Sequence, residues 1–554
     1  MATKKIVAVL LSAIMIASIA ACASPKSSSP GASAPAAGAS STDPITLKLF
    51  YGYEGSNDPN NDMFKWVEEQ TGISLVYEYL VGDVNSKIGV MLASGDYPDL
   101  LWGHLQHQKF IDAGACIPLD DYLEKFGDNL KKYYSPAELK ALRRDDGKLY
   151  YFSCNRSFNT NSYAVGGFYA QRRVLEDAGY PKLNTLDQYF DLLIDYCRKN
   201  PETDGKKTYA FSVVGDSSTI GVVMYMACTI GAGFPDDGYD CQVDLSDYTA
   251  HAIGRTEGAR LYLQAMNRLH LEGLLDPESF TYNLDTWNAK LATGNIVGQF
   301  NWWWQISSVQ RAIKDQEMHD KVFVALPVTW DTSRPSMLQK AMAESVRDGV
   351  SISTKCANPE RAFKFIDWLL NEEVLIRNSW GVEGKDYFID SDGLFARTDE
   401  QIKQVADSDY SKSAGLGILS YPFPHPHDDL ILSNGNAMFP SFQQSIIDKN
   451  YDEHDQKVLE AYGVKQYGFM FPQYEPLKYG VAWDINFEDG SDAQIAERTV
   501  YDLQYEWFPK LVMAEQGQFN NVWDQYMSEF DKTNYQAMED FMTAELQRRV
   551  AEAN

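Results

Sequence analysis

The chain has 554 residues, too many for one ordinary core, so two to four domains or one large two-lobed body are expected. Acidic residues outnumber basic ones 77 to 49, a formal charge of −28, which argues against binding nucleic acid or anionic lipid through a broad basic patch. The composition, 44% hydrophobic and 23% charged, is that of a folded globular protein, and its 33 Tyr and 12 Trp suit surfaces that are both apolar and hydrogen-bonding.

Residues 1–22 read as a signal peptide, not as part of the fold. Lys4 and Lys5 supply positive charge, and the apolar "IVAVLLSAIMIASIAA" is shorter than the roughly 20 residues a spanning helix needs. Ile19-Ala20-Ala21-Cys22 resembles the bacterial lipobox, which implies cleavage before Cys22 and lipid attachment to it. The alternative is a plain secretory signal with an incidental cysteine. Two or three acyl chains would hold the protein at a membrane, where one alone binds only marginally. Residues 23–43, rich in Ala, Ser, Pro and Gly, read as a disordered tether with a mean span of roughly 25 Å. The expectation is an exported protein, lipid-anchored to the outer face of the cell membrane.

Beyond the tether, "ITLKLFY" (45–51) alternates as a strand does. Pro59 is expected to open a helix that Gly72 stops, and "ISLVYEYL" (73–80) is a second strand. Val84, Ile88, Met91 and Leu92 mark a second helix ending at Gly95, and "PDLLW" (98–102) is a third strand. The order βαβαβ with short connections predicts a parallel sheet, whose ligands sit at the carboxyl ends of the strands. Residues 146–163 read as a hairpin-like stretch, and Asn184/Thr185 cap a helix. "IGVVMYMACTIGAGF" (220–234) is Gly-interrupted and too short to span a bilayer, so it reads as a buried helix. Helices follow at 255–275 and 284–293, strands at 296–300 and 321–330, and a strand, turn and amphipathic helix at 348–373. Beyond 380 the chain is aromatic-rich and mostly helical.

Six cysteines follow Cys22, at irregular spacings and without a CxxC; outside the membrane they could pair, Cys228 and Cys241 being nearest in sequence, and buried free thiols are the alternative favoured. "NPETDGKKTYAF" (200–211) places Asn200, Glu202, Asp204 and Gly205 at positions 1, 3, 5 and 6 of an EF-hand-like loop. Phe211 stands where the bidentate Glu of position 12 is required, so a polar turn without an ion is expected. "HPHDD" (425–429) and His104-x-x-His107 are weak metal patterns, and no metal or cofactor is expected. The chain carries no G-x-S-x-G, P-loop, G-x-G-x-x-G or H-E-x-x-H.

Six segments in order resemble the carbohydrate-type extracellular solute-binding lipoproteins of bacterial ABC importers. They are "MLASGDYPDLLW", "DGKLYYF", "FYAQRRVLEDAGYPKLNTLDQYFDLL", "LATGNIVGQFNWWW", "SISTKCANPERAFKFIDWLLNEE" and "WGVEGKDY". The resemblance implies an α/β, two-lobed periplasmic-binding-protein fold (type II, venus-flytrap) with a helix-rich C-terminal region. Lobe one is expected at 45–165 plus 320–375, and lobe two at 166–319 plus 376–554. The implied function is non-enzymatic: a monomer that captures an oligosaccharide between its lobes and delivers it to the transmembrane subunits of an ABC permease. Alternatives are a membrane-anchored hydrolase or lyase, a glycan-binding adhesin, and a receptor for peptides or another organic solute.

A sugar has an apolar C–H face, on which aromatic rings stack, and a rim of hydroxyls. The candidate ligand-binding residues are therefore Trp302, Trp303 and Trp304 after a strand, Tyr51, Tyr53 and Glu54 after the first strand, and Trp102 after the third. Arg156 in the hairpin and Trp380 beside "GVEGKDY" complete the set. Core packing is the competing role for every tryptophan, and a surface salt bridge for Arg156.

Overall fold

Local signals build the first sheet much as the sequence predicts. In the computed structural model, β1 (Ile45–Tyr51), β2 (Ile73–Tyr79) and β3 (Leu100–Trp102) are parallel, with β1 in the middle. The crossovers are α1 (Asp62–Thr71) and α2 (Val84–Ser94). Helix α1 starts at Asp62 and not at Pro59, because the Asn61 side chain accepts the Phe64 N–H and caps it. Gly72 and Gly95 end α1 and α2 with φ of 67° and 65°, the left-handed C-cap that glycine adopts without strain.

The structure describes residues 43–144, 146–154, 163–216, 220–235, 241–338, 349–474, 485, 487–488 and 490–553. Cys22, the signal segment and Arg156 lie outside the described residues. Strand β4 (Tyr151–Ser153) belongs to the first sheet, and β5 (Gly166–Gln171) opens a second. Two hairpins follow, β6 (Glu202–Thr203) with β7 (Lys206–Lys207) and β8 (Cys241–Asp244) with β9 (Thr249–Ala252). Strands β10 (Gly298–Trp302) and β11 (Phe323–Leu326) flank β5 on either side, both antiparallel to it. The chain then returns: β12 (Gly349–Ile352) inserts between β3 and β4, giving the order β2-β1-β3-β12-β4. A last hairpin pairs β13 (Phe388–Ile389) with β14 (Phe395–Ala396).

Each sheet has its own core. The first packs Leu47, Leu49, Leu100 and Val350 against Phe363 and Ile366 of the helix Pro359–Trp368. The second packs β5, β10 and β11 under the helices Leu186–Lys199 and Glu257–Leu271, in one cluster with the C-terminal helices Asp492–Val512, Phe519–Phe530 and Tyr535–Ala553. Each fully buried Leu or Phe contributes roughly 1.5–3 kcal/mol by leaving water. Residues 220–234 are a buried π-helical turn, Gly221–Tyr225, running into the helix Met226–Gly231. Among the described residues no helix is long and apolar enough to cross a membrane.

Two segments pack away from the lobe expected for them. Residues 323–326, expected with the first lobe, form the edge strand of the second sheet, because Phe323–Leu326 takes its hydrogen bonds from β5. Leu419 and Phe423, expected with the second lobe, complete the first core. The six later cysteines are free thiols, five of them buried. Burial pushes the Cys116 and Cys197 thiols up to about 12, so both stay protonated.

Candidate ligand-binding cleft

Parallel register decides what meets at the end of the first sheet. Tyr51 pairs with Tyr79 on one side and Trp102 on the other, so three strands end in aromatic residues at one level. Tyr77, two residues before Tyr79, shares its face of the strand. Tyr51 and Tyr77 stack at 5.8 Å and 17°, and Tyr51 meets Trp102 edge-on at 4.5 Å. Tyr421 closes on Trp102 at 4.8 Å and 89°. Tyr51, Tyr77, Tyr79 and Tyr421, with Asn57 and Lys412, line an open cavity of about 240 Å³. Burial, followed by the neighbouring Tyr51 and Tyr79, holds the Tyr77 phenol well above its usual range, and its O–H donates to Ile418 C=O at 3.1 Å. The ring floor is thus apolar across its faces and polar at its edges, with Lys412 on the cavity wall, as a sugar face requires.

Backbone closeness sets this floor. Gly52 N–H donates to Trp102 C=O at 2.8 Å, and a Cβ on Gly52 would lie 2.6 Å from that oxygen. Only glycine lets the two loops touch. Buried His107 ties down the turn after β3: its Nδ1 accepts Gly103 N–H at 3.1 Å and its Nε2 donates to Ser351 Oγ at 2.7 Å. Burial, then the Arg144 charge, lowers His107 to about 3, so the imidazole is neutral. Both of its ring nitrogens are spent, which removes it as a metal ligand. His104, at a φ of 50°, presses its ring edge-on to Trp102 at 5.3 Å and lies 5.6 Å from Tyr53.

The tryptophan run divides between two elements. Trp302 is the last residue of β10 and only 9% exposed, with Nε1 donating to Val222 C=O at 3.2 Å. Trp303 and Trp304 begin the helix Trp303–Asp315 and are 44% and 52% exposed. Trp303 lies 5.1 Å from Tyr163. Burial, then the Asp428 carboxylate, raises Tyr163 to about 12. Asp428 follows Tyr421 by seven residues, so one segment runs from the Trp102 group to the Trp303 group. His427 Nε2, within that segment, lies 3.3 Å from Glu138 of the first body.

Of the residues named from sequence, Tyr51 lines the cavity, while Trp102, expected to contact ligand, is packed beneath Tyr51 and Tyr421 at 1% exposure and supports the floor without facing it. Tyr53 and Glu54 stand exposed in the following loop, and Tyr53 reaches His104. Trp303 and Trp304 present open faces, while Trp302 belongs to the second core. Trp380 departs from expectation. It is fully buried in a satellite core with Tyr387, Phe395 and Met438, and its Nε1 donates to Ala437 C=O at 3.0 Å. A ring so enclosed presents no face to a ligand. Sequence reasoning passed over Tyr77, Tyr79 and Tyr421. The i, i+2 spacing of Tyr77 and Tyr79 at a strand end was the available signal; Tyr421, on an irregular segment, had none.

Residues 62–379, more than half of the chain, match the family model described as bacterial extracellular solute-binding protein. The chain belongs to this family. Two relatives place the solute-binding protein further. It is 25% identical over 348 residues to the fructooligosaccharide ABC transporter substrate-binding protein FusA of Streptococcus pneumoniae serotype 4, covering 59% of this chain and 61% of FusA. It is 22% identical to the lipoprotein LipO of Bacillus subtilis, covering 62% of this chain and 66% of LipO. These alignments therefore span less than two thirds of either relative. The structure of S. pneumoniae FusA in complex with kestose superposes with a TM-score of 0.64 at 17% identity, covering 92% of this chain and all of that one. A FusA EF-hand mutant with fructo-nystose gives 0.64 at 16% identity, with 92% of this chain and 100% of that chain covered. A solute-binding protein from Bifidobacterium longum infantis, described as binding HMO, gives 0.67 at 13% identity, over 91% and 98% of the two chains. The fold is the two-lobed one of the solute-binding proteins.

Proposed function

We propose that this protein captures an oligosaccharide between its two lobes and delivers it to the transmembrane subunits of an ABC permease, held at the outer face of the cell membrane by lipid on Cys22. One observation carries the ligand class: the open cavity floored by Tyr51, Tyr77 and Tyr79 at the carboxyl ends of parallel strands. Stacked phenols offer flat apolar faces to sugar C–H groups and hydroxyls at the rim. Trp303 and Trp304, exposed at the start of a helix that follows the second sheet's β10, are the further stacking faces in this reading. A ligand touching both sides shifts the population towards the closed form. The names of FusA and LipO support the sugar class and the lipid anchor respectively.

In this reading lobe one is built around the sheet β2-β1-β3-β12-β4 with Leu419 and Phe423, and lobe two around β10-β5-β11 with the helices Glu453–Tyr462, Asp492–Val512, Phe519–Phe530 and Tyr535–Ala553. The test is calorimetric titration of the purified chain with a panel of neutral oligosaccharides and, separately, peptides. Saturable binding of an oligosaccharide, recovered unchanged, is the expected result. Binding only of peptides would overturn the ligand class, and cleavage of the sugar would overturn the receptor role.

A further inference from the structure

The loop at 200–211 has the opening spacing of an EF-hand calcium site, and a neighbouring fold is described as an EF-hand mutant. The residues here do not fit the ion. Position 12, which must supply a bidentate carboxylate, is Phe211; it is fully buried, and its C=O accepts Asp276 N–H at 2.9 Å. The middle of the loop is a tight hairpin. Glu202 pairs with Lys207 and Thr203 with Lys206, leaving Asp204 and Gly205 as a two-residue turn at φ of 49° and 73°. Positive φ at both positions is the type I′ geometry that Asp-Gly favours. A turn so short cannot wrap a seven-coordinate cation.

A different cation already meets the carboxylate. Lys321 Nζ donates to Asp204 Oδ2 and lies 3.3 Å from Met318 Sδ. The stem is enclosed, with the Lys321 side chain 9% exposed. It passes over Gly294, where a Cβ would stand 2.4 Å from Lys321 Cδ. Lys321, then Arg173 and Lys206, hold the Asp204 carboxyl below its usual range.

We infer that the Lys321 ammonium takes the part of the bound cation in this loop, pinning the β6–β7 hairpin to the segment that leads into β11 without any metal. A charge supplied by the chain itself has no dissociation constant, so the clip is indifferent to ambient calcium. The clip joins the end of the helix Leu186–Lys199 to the edge strand of the second sheet, two segments over a hundred residues apart in sequence. The inference does not depend on the identity of the captured solute.

Thermal unfolding of the whole chain tests it. The Tm is expected to be the same in millimolar calcium chloride and in EDTA. Asp204→Asn is expected to lower the Tm by roughly 1–3 °C in the native background and to leave it unchanged when Lys321→Met is already present. A calcium-dependent rise in Tm that EDTA reverses would overturn the inference. So would an equal effect of Asp204→Asn in both backgrounds. The calcium comparison needs no variant, so it decides even if Lys321→Met does not fold.

Discussion

Gly103 N–H donates to His107 Nδ1 at 3.1 Å, and this bond dictates that the imidazole proton sits on Nε2, facing Ser351 of the neighbouring strand. A backbone donor thus sets the tautomer of a buried ring, and the ring in turn locks the turn beneath Trp102.

That lock titrates. His107 is depressed to about 3 in the fold against about 6.5 when unfolded, so the unfolded chain binds more protons between those values. Its stabilising contribution is complete above about pH 6.5 and is lost as pH falls towards 3, with a slope of at most about 1.4 kcal/mol per unit. Thermal melts from pH 7 to pH 4 are expected to show a shallower acid loss for His107→Gln, which keeps one donor and one acceptor. Parallel curves for both proteins would remove this role.

The floor and the core are expected to respond differently to truncation. Tyr79→Ala should weaken oligosaccharide affinity by about 1 kcal/mol or more, because a stacking face is lost. Tyr77→Phe should cost about 1 kcal/mol of stability through the bond to Ile418. Calorimetric titration paired with urea unfolding separates the two effects.

The tryptophan run offers an internal control. Trp303→Ala and Trp304→Ala should leave the urea midpoint nearly unchanged and weaken sugar binding about tenfold. Trp302→Ala and Trp380→Ala should each destabilise by about 3–5 kcal/mol, since both rings are enclosed. Loss of binding in Trp304→Ala with an intact fold places the ligand on the second body; unaltered binding in both exposed variants would remove that wall.

A buried ion pair ties the later chain to the second sheet. Arg172, directly after β5, is 3% exposed and donates to Asp455, which also accepts the Tyr467 O–H at 2.7 Å and lies 3.2 Å from Lys314 Nζ. Asp455→Ala leaves the guanidinium with Asp452 at 3.4 Å and the His319 C=O at 3.2 Å, and should destabilise by about 2–3 kcal/mol. Arg172→Met with Asp455→Ala should recover part of that loss, as urea unfolding would report.

Much of the first sheet was legible because its signals are local. Alternation at 45–51, the Gly72 and Gly95 caps and the apolar spacing of α2 involve residues a few positions apart, and they suffice to place Tyr51 and Trp102 at strand ends. The mismatch of Phe211 with a calcium loop was equally visible. Tertiary structure decided the rest. The division of the tryptophans depends on β10 pairing with β5, which carries strand geometry as far as Trp302 and buries it before the helix begins at Trp303. Trp380 looks like Trp303 in sequence, but Tyr387, Phe395 and Met438 enclose it. Tyr421 gains its meaning only where it meets Trp102, and Asp204 only where Lys321 arrives from 117 residues away. Periodicity and capping are encoded in neighbours along the chain; which ring faces water, and which cation meets which carboxylate, is settled by partners that only folding brings together.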